Sequence, residues 1–250
     1  MSDLSVTPTE VVLALPTGSV DAVVVRPSDA DRDHRYPPVL FIMDAVGLRG
    51  RLVEMAERIA SWGYVVFVPN VYYRQGSQPL IDSGSTPEAF WARMSELMAA
   101  YTTDMWEVDG PAFLDVLAAR DDTTDEPVRV TGYCMGGRLA MLLAAQCPER
   151  VATVAGFHTG GLVSDGPDSA HLRIGSVTAP MYYLYADNDA SMTPGAQRMV
   201  AEAAAAAGVD YTAEVAEGAA HGYTMTDRPA YNEAAEARHW KVLRERFAAV

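Results

Sequence analysis

The stretch Gly132-Tyr133-Cys134-Met135-Gly136-Gly137 constrains this chain more than any other. It sits between two apolar runs, Val128-Arg129-Val130 and Leu139 to Ala145, so strand, tight turn and helix are the expected local structure. Such a turn pushes the side chain at its tip up out of the sheet, and here that side chain is Cys134. The spacing is that of a nucleophile elbow, G-x-S-x-G, with sulfur in place of oxygen. Gly132 and Gly136 flank the tip by two residues on either side, where a Cβ would crowd the turned backbone. Gly137 lets the helix pack close to the strand. The turn also aims the backbone N–H of Met135 at the space above the sulfur, where an oxyanion would form. A free cysteine in a buried turn is more often an apolar filler than a nucleophile. The motif therefore needs partners: a base, and a carboxylate to orient it.

The 250 residues, 49% of them hydrophobic, suffice for one large core, and a single domain over residues 1–250 is expected. The formal net charge is −14, from 33 acidic and 19 basic residues. A polyanion would be repelled, so no nucleic-acid partner is expected. A small anionic substrate stays open where a local arginine overrides the general field. Cys134 and Cys147 lie at opposite ends of one predicted helix and should not bridge, which fits a reducing, cytoplasmic setting. Met1 to Glu10 is polar, with no apolar signal core. No stretch is apolar enough to span a membrane. No H-x-x-x-H or C-x-x-C spacing occurs, so no metal site is expected.

Along the chain, residues 10–27 suggest a hairpin turning at Pro16-Thr17-Gly18. Residues 29–38 read as a loop. Val39 to Met43 is a short apolar run, as in a strand buried on both faces, and leads into Asp44-Ala45-Val46-Gly47. Leu52, Met55, Ala56 and Ile59 have helical spacing, with Gly63 as the stop, and Val65 to Val68 is a second buried strand. Strand, helix and strand make a βαβ unit, so a mainly parallel sheet is expected. Residues 71–86 are irregular, Thr86-Pro87 opens a helix, and a second helix covers 104–119 with a bend near Gly110-Pro111. After the elbow come a strand from Val151 leading to His158, a polar loop over 162–179, and a strand from Met181 to Tyr185. A helix over 195–207 closes at Gly208. A last strand from Tyr211 to Val215 leads to His221, and a final helix spans about 230–247.

In a parallel sheet, ligands collect beyond the carboxyl ends of the strands. Four loops at such ends carry reactive groups: Asp44, Cys134, Asp189 and His221. A thiol needs a base at neutral pH, and His221 supplies one. A carboxylate beyond the imidazole sets its tautomer and steadies the imidazolium. Asp189 is preferred for this over Asp187, because it leads into the Ser191-Met192-Thr193-Pro194 turn before the next helix. His158 lies at a strand end and is a candidate to line the pocket, whereas His34, His171 and His239 read as surface residues.

With these residues in view, the chain resembles the dienelactone hydrolases (carboxymethylenebutenolidases) from about residue 20 to 247. The matching motifs are G-Y-C-M-G-G at 132–137, D-A-V-G-L-R at 44–49, P-N-V-Y-Y-R at 69–74 and H-G-Y at 221–223. The resemblance implies an α/β-hydrolase fold: a mostly parallel central sheet with helices on both faces and no large lid domain. It implies a Cys134, His221, Asp189 triad and an oxyanion hole from the N–H groups of Ala45 and Met135. It gives Asp44 the place of an acid that contacts the resting thiol, usually a glutamate and here one methylene shorter. It gives Arg74 the grip on a substrate carboxylate. A second arginine is due four residues after the histidine, where this chain has Met225; Arg228, three residues further on, is the available substitute.

The expected activity is hydrolysis of small esters or lactones, some of them carboxylate-bearing, through a thioester on Cys134 and without a cofactor. One rival is a binding or regulatory module on a hydrolase scaffold, with Cys134 as an oxidation sensor. Another is an amidotransferase-like or glyoxalase-like flavodoxin fold, against which the late positions of Asp189 and His221 argue.

Overall fold

Val6–Leu15 (β1) and Gly18–Pro27 (β2) pair antiparallel along their full length, from Val6 opposite Pro27 to Leu15 opposite Gly18. The hairpin is longer than the apolar pattern suggests, because β1 carries four exposed residues near its start, Thr7 to Glu10, and alternates half-buried and exposed positions only from Val11 to Leu15. In this computed structural model the described residues are 3–82 and 84–250. Met1 and Ser2, part of the polar N-terminal stretch, and Ser83, part of the irregular stretch 71–86, lie outside them. The chain divides into two compact units, Met1–Asp125 and Glu126–Val250.

In the first unit, Pro38–Ile42 (β3) and Val65–Pro69 (β4) are buried at every position and pair parallel. β2 joins β4 antiparallel, giving the order β1-β2-β4-β3. Helix α1 (Gly50–Ala60) connects β3 to β4 and buries Leu52, Met55, Ala56 and Ile59, the stripe its spacing predicts. It stops at Ala60, and Gly63 supplies the left-handed turn (φ 95°) that follows. Helix α2 (Pro87–Ala100) begins as expected, with the Thr86 hydroxyl accepting from the Ala89 N–H. Helix α3 (Thr103–Ala118) is one helix with Pro111 inside it.

The second unit has four parallel strands in the order β5 (Val128–Tyr133), β6 (Val151–Phe157), β7 (Met181–Ala186) and β8 (Tyr211–Ala216). Helix α4 (Met135–Gln146) packs on β5 and β6. Helix α5 (Pro194–Ala207) is capped by the Thr193 hydroxyl and closed by Gly208 at φ 70°. Helix α6 (Glu233–Ala248) is capped by Asn232 and buries Trp240, Leu243 and Phe247. The loop expected to be polar over 162–179 instead holds a 3-10 segment, Ala170–Ser176, with Ala170, His171 and Ile174 buried. Two histidines read as surface residues are interior. His171 Nδ1 lies 2.7 Å from the Ser169 hydroxyl, and His239 Nε2 lies 2.8 Å from that of Tyr133. Each buries its ring against a neighbour that satisfies a nitrogen, which a count of polar residues does not anticipate. No helix among the described residues is long and apolar enough to cross a membrane.

Candidate active site

β5 ends at Tyr133 and α4 begins at Met135, leaving Cys134 alone at the junction with φ 57° and ψ −119°. A residue with a side chain holds such a conformation only where its surroundings force it. The Cys134 N–H donates to the Phe157 carbonyl at 3.1 Å, and the Gly137 N–H to the Cys134 carbonyl at 3.2 Å. A Cβ on Gly132 would lie 2.1 Å from the Gly136 carbonyl oxygen. One on Gly137 would lie 1.9 Å from the Thr159 Oγ1. Strand and helix approach more closely than any other residue type allows, and the cysteine is lifted at the tip, half-buried.

The loops after β7 and β8 converge on it. His221 Nδ1–H donates to Asp189 Oδ2 at 2.6 Å. Cys134 is the ring's other polar neighbour, and its interaction with the imidazole acts in the same direction as that of Asp189. Asp189 is nearly buried, and its other oxygen accepts from the Ser191 N–H at 2.8 Å and the Ser191 hydroxyl at 2.6 Å. Asp187, the alternative acid, accepts instead from the Gly218 N–H at 2.9 Å and ties the two loops together. The second unit therefore brings the hydrogen-bonded pair Asp189 and His221 to Cys134, with the Met135 N–H at the first turn of α4.

The electrostatics of this line are uneven. Burial disfavours the His221 imidazolium, but the hydrogen bonds and negative charge of Asp189 and Cys134 outweigh it and push His221 up to about 10. Burial works against the Asp189 carboxylate too, yet its bonds to His221 and Ser191 leave it below its ordinary value. Both shifts favour the charged pair, a protonated imidazole beside an ionised Asp189.

In the first unit, Asp44 and Ala45 are buried in the turn after β3. Both Asp44 oxygens are held by Arg49, Nη1 to Oδ1 at 2.8 Å and Nη2 to Oδ2 at 3.0 Å. Arg74, in a 3-10 turn after β4, makes a two-pronged ion pair with Asp109 of α3 at 2.5 and 2.7 Å. Asp109 is wholly buried and also accepts from the hydroxyls of Tyr73 and Tyr101. In the second unit Met225 is buried, and the Arg228 N–H donates to its carbonyl at 2.9 Å.

Three participants were not legible in the sequence as such. Ser191 read only as a turn residue, and Arg49 and Asp109 had no visible partners. An aspartate between Trp106 and Phe113 on a buried helix face was the available signal for Asp109. His158, a candidate lining residue, is fully buried beside His221, with ring centroids 5.4 Å apart. Among the described residues no cluster of three or more His, Cys, Asp or Glu side chains could hold a metal ion.

The sequence model of the dienelactone hydrolase family matches residues 20–250. A Salmonella typhi protein assigned as a carboxymethylenebutenolidase is 26% identical over 246 residues, covering 95% of this chain and 86% of its own. A similarly assigned Escherichia coli K12 protein is 26% identical over 234 residues, covering 92% and 82%. A solved structure from Klebsiella pneumoniae, assigned as a dienelactone hydrolase, superposes with a TM-score of 0.86 over 98% of this chain and 100% of its own, at 22% identity. The chain has the α/β-hydrolase fold of these structures, with a mostly parallel sheet and no separate lid domain.

Proposed function

The chain belongs to the dienelactone hydrolase family and is a carboxymethylenebutenolidase-type hydrolase of lactones or esters, and we propose that it works through a Cys134, His221, Asp189 triad and a thioester intermediate. The observation that carries this reading is the 2.6 Å bond from His221 to Asp189, set beside a cysteine raised at the tip of the elbow.

The chemistry follows from where the proton sits. The Cys134 sulfur adds to the substrate carbonyl, and the Met135 N–H at the start of α4 stabilises the oxyanion. Collapse breaks the ester C–O bond, and the leaving oxygen takes the proton from His221. A thioester and a neutral imidazole remain. His221 then removes a proton from water, and the hydroxide adds to the thioester carbonyl. The second collapse expels the sulfur, releases the acid and leaves the proton on His221. Asp189 keeps the imidazole in one tautomer throughout. A thiolate is itself easily expelled, so this nucleophile suits substrates with good leaving groups, such as enol lactones and aryl esters.

The roles that the family pattern gives Asp44, Ala45 and Arg74 belong to the same proposal. So does a single domain spanning residues 1–250, which the family match through both units supports. A reducing cellular compartment is inferred with it, from two cysteines kept as free thiols.

The test is intact-mass detection of an acyl adduct during turnover of an aryl ester, with Cys134→Ala as control. The expected result is one acyl group in the wild type, none in the variant, and loss of turnover. A Cys134→Ala protein that keeps full activity overturns the proposal.

A further inference from the structure

We propose that His158 is a positioning residue that holds the His221 ring at its working tilt between Cys134 and Asp189; this rests on the triad reading above. His158 follows β6 at φ 38°, a left-handed conformation uncommon for a residue with a side chain. Among the described residues, the non-glycine positions with positive φ are Cys134, His158 and Asn188. Each sits where a strand of the second unit gives way to a site loop: Cys134 after β5, His158 after β6, Asn188 after β7 and beside Asp189. Strain of this kind persists only where packing over-determines it.

The packing around His158 does so. Its backbone N–H donates to the Leu184 carbonyl at 2.9 Å. Its Nε2 is hydrogen-bonded to the Thr224 hydroxyl at 2.8 Å, three residues beyond His221. The ring stands edge-to-face against Tyr223 (5.0 Å, 83°) and against His221 (5.4 Å, 67°). The left-handed turn at 158 also sends the next residues along the other flank of His221. A Cβ on Gly160 would lie 2.3 Å from the Ser191 Oγ and 3.5 Å from the His221 Cε1. The segment 158–160 thus walls the catalytic imidazole while Asp189 and Ser191 hold its Nδ1 edge. A ring that loses this wall can tilt away from Asp189 and Cys134, whose interactions with it raise its pKa. The titratable and charged groups that face the pair from the surrounding elements are Cys134 and Tyr133 of the elbow strand, Asp189, Tyr223, and His239 of α6 through its bond to Tyr133.

The experiment compares wild type, His158→Asn and Thr224→Val by pH profiles of kcat and KM for an aryl ester, with thermal unfolding as control. Asparagine tolerates the left-handed backbone but removes the ring. Thr224→Val removes the bond to Nε2 and keeps the shape. The expected result is a kcat loss of roughly tenfold or more in His158→Asn, with KM little changed and the alkaline limb moved down by about half a pH unit as the ring's bonds to its partners loosen. Thr224→Val is expected to show the same shift, smaller. If His158→Asn does not fold, Thr224→Val decides alone. Wild-type profiles in the folded variants, or a uniform loss without any shift, overturn the positioning role. Cys134→Ala separates the two readings: retained turnover there removes the triad itself, whereas a dead Cys134→Ala beside wild-type profiles removes only His158.

Discussion

Arg74 grips Asp109 with both Nη atoms, at 2.5 and 2.7 Å, and Asp109 has no exposed surface. The carboxylate also accepts hydrogen bonds from the hydroxyls of Tyr73 and Tyr101, so one buried charge is met by four donors. Breaking such a pair leaves a charge stranded in the interior and costs about 3–5 kcal/mol. Arg74→Ala should therefore unfold at clearly lower urea concentration than wild type. Arg74→Met with Asp109→Asn together should recover much of the loss. If Arg74→Ala is as stable as wild type, the pair is not structural.

That pairing changes how a substrate test must be read. We predict that the double variant, in which folding is protected, shows whether Arg74 also serves the substrate. A rise in KM confined to carboxylate-bearing esters supports the grip on substrate. Equal KM changes for neutral and anionic esters exclude it.

Asp189 orients His221 through a single 2.6 Å bond, with Ser191 holding its other oxygen. Asp189→Asn keeps the shape but offers an amide hydrogen where the imidazole needs an acceptor. A kcat loss of roughly 10³–10⁴-fold is expected. Ser191→Ala should cost far less, since Asp189 still accepts the Ser191 backbone N–H. Comparable losses in the two variants would mean that Ser191, not Asp189, sets the ring.

Stability should fall on the alkaline side. The folded-state value of about 10 for His221 lies above its ordinary 6.5. The stabilisation from its proton is thus complete below about pH 6.5 and is lost as pH rises through 10. Urea unfolding of wild type and His221→Asn across pH 6–10 checks this. The wild type should lose stability relative to the variant over that range, and parallel curves would show that His221 is not so perturbed. The depressed Asp189 adds the opposite trend: its contribution is present above the ordinary carboxylate range and disappears in acid.

Two glycines give a contrast in sterics. Gly132→Ala places a Cβ 2.1 Å from a backbone oxygen that cannot turn away, so the elbow must shift. A loss of about 1–3 kcal/mol and of esterase activity is expected. Gly195→Ala, at the start of α5 with nothing nearer than 3.7 Å, should be neutral or slightly stabilising. Thermal melts and turnover of both variants measure the difference.

The order of elements was legible because it is written in local patterns: period-two and continuous apolar runs for strands, the spacing of Leu52, Met55, Ala56 and Ile59 for α1, and threonines before prolines at helix starts. The elbow was legible for the same reason, since glycines two residues either side of a tip residue answer a steric demand within one turn. What tertiary structure alone decided were the partners. Asp109 took Arg74, Asp187 turned to Gly218 while Asp189 turned to His221, and His239 and His171 went inside. A side chain's residue type sets what it can bond, but burial and distance set what it does bond, and both depend on segments far apart in the chain.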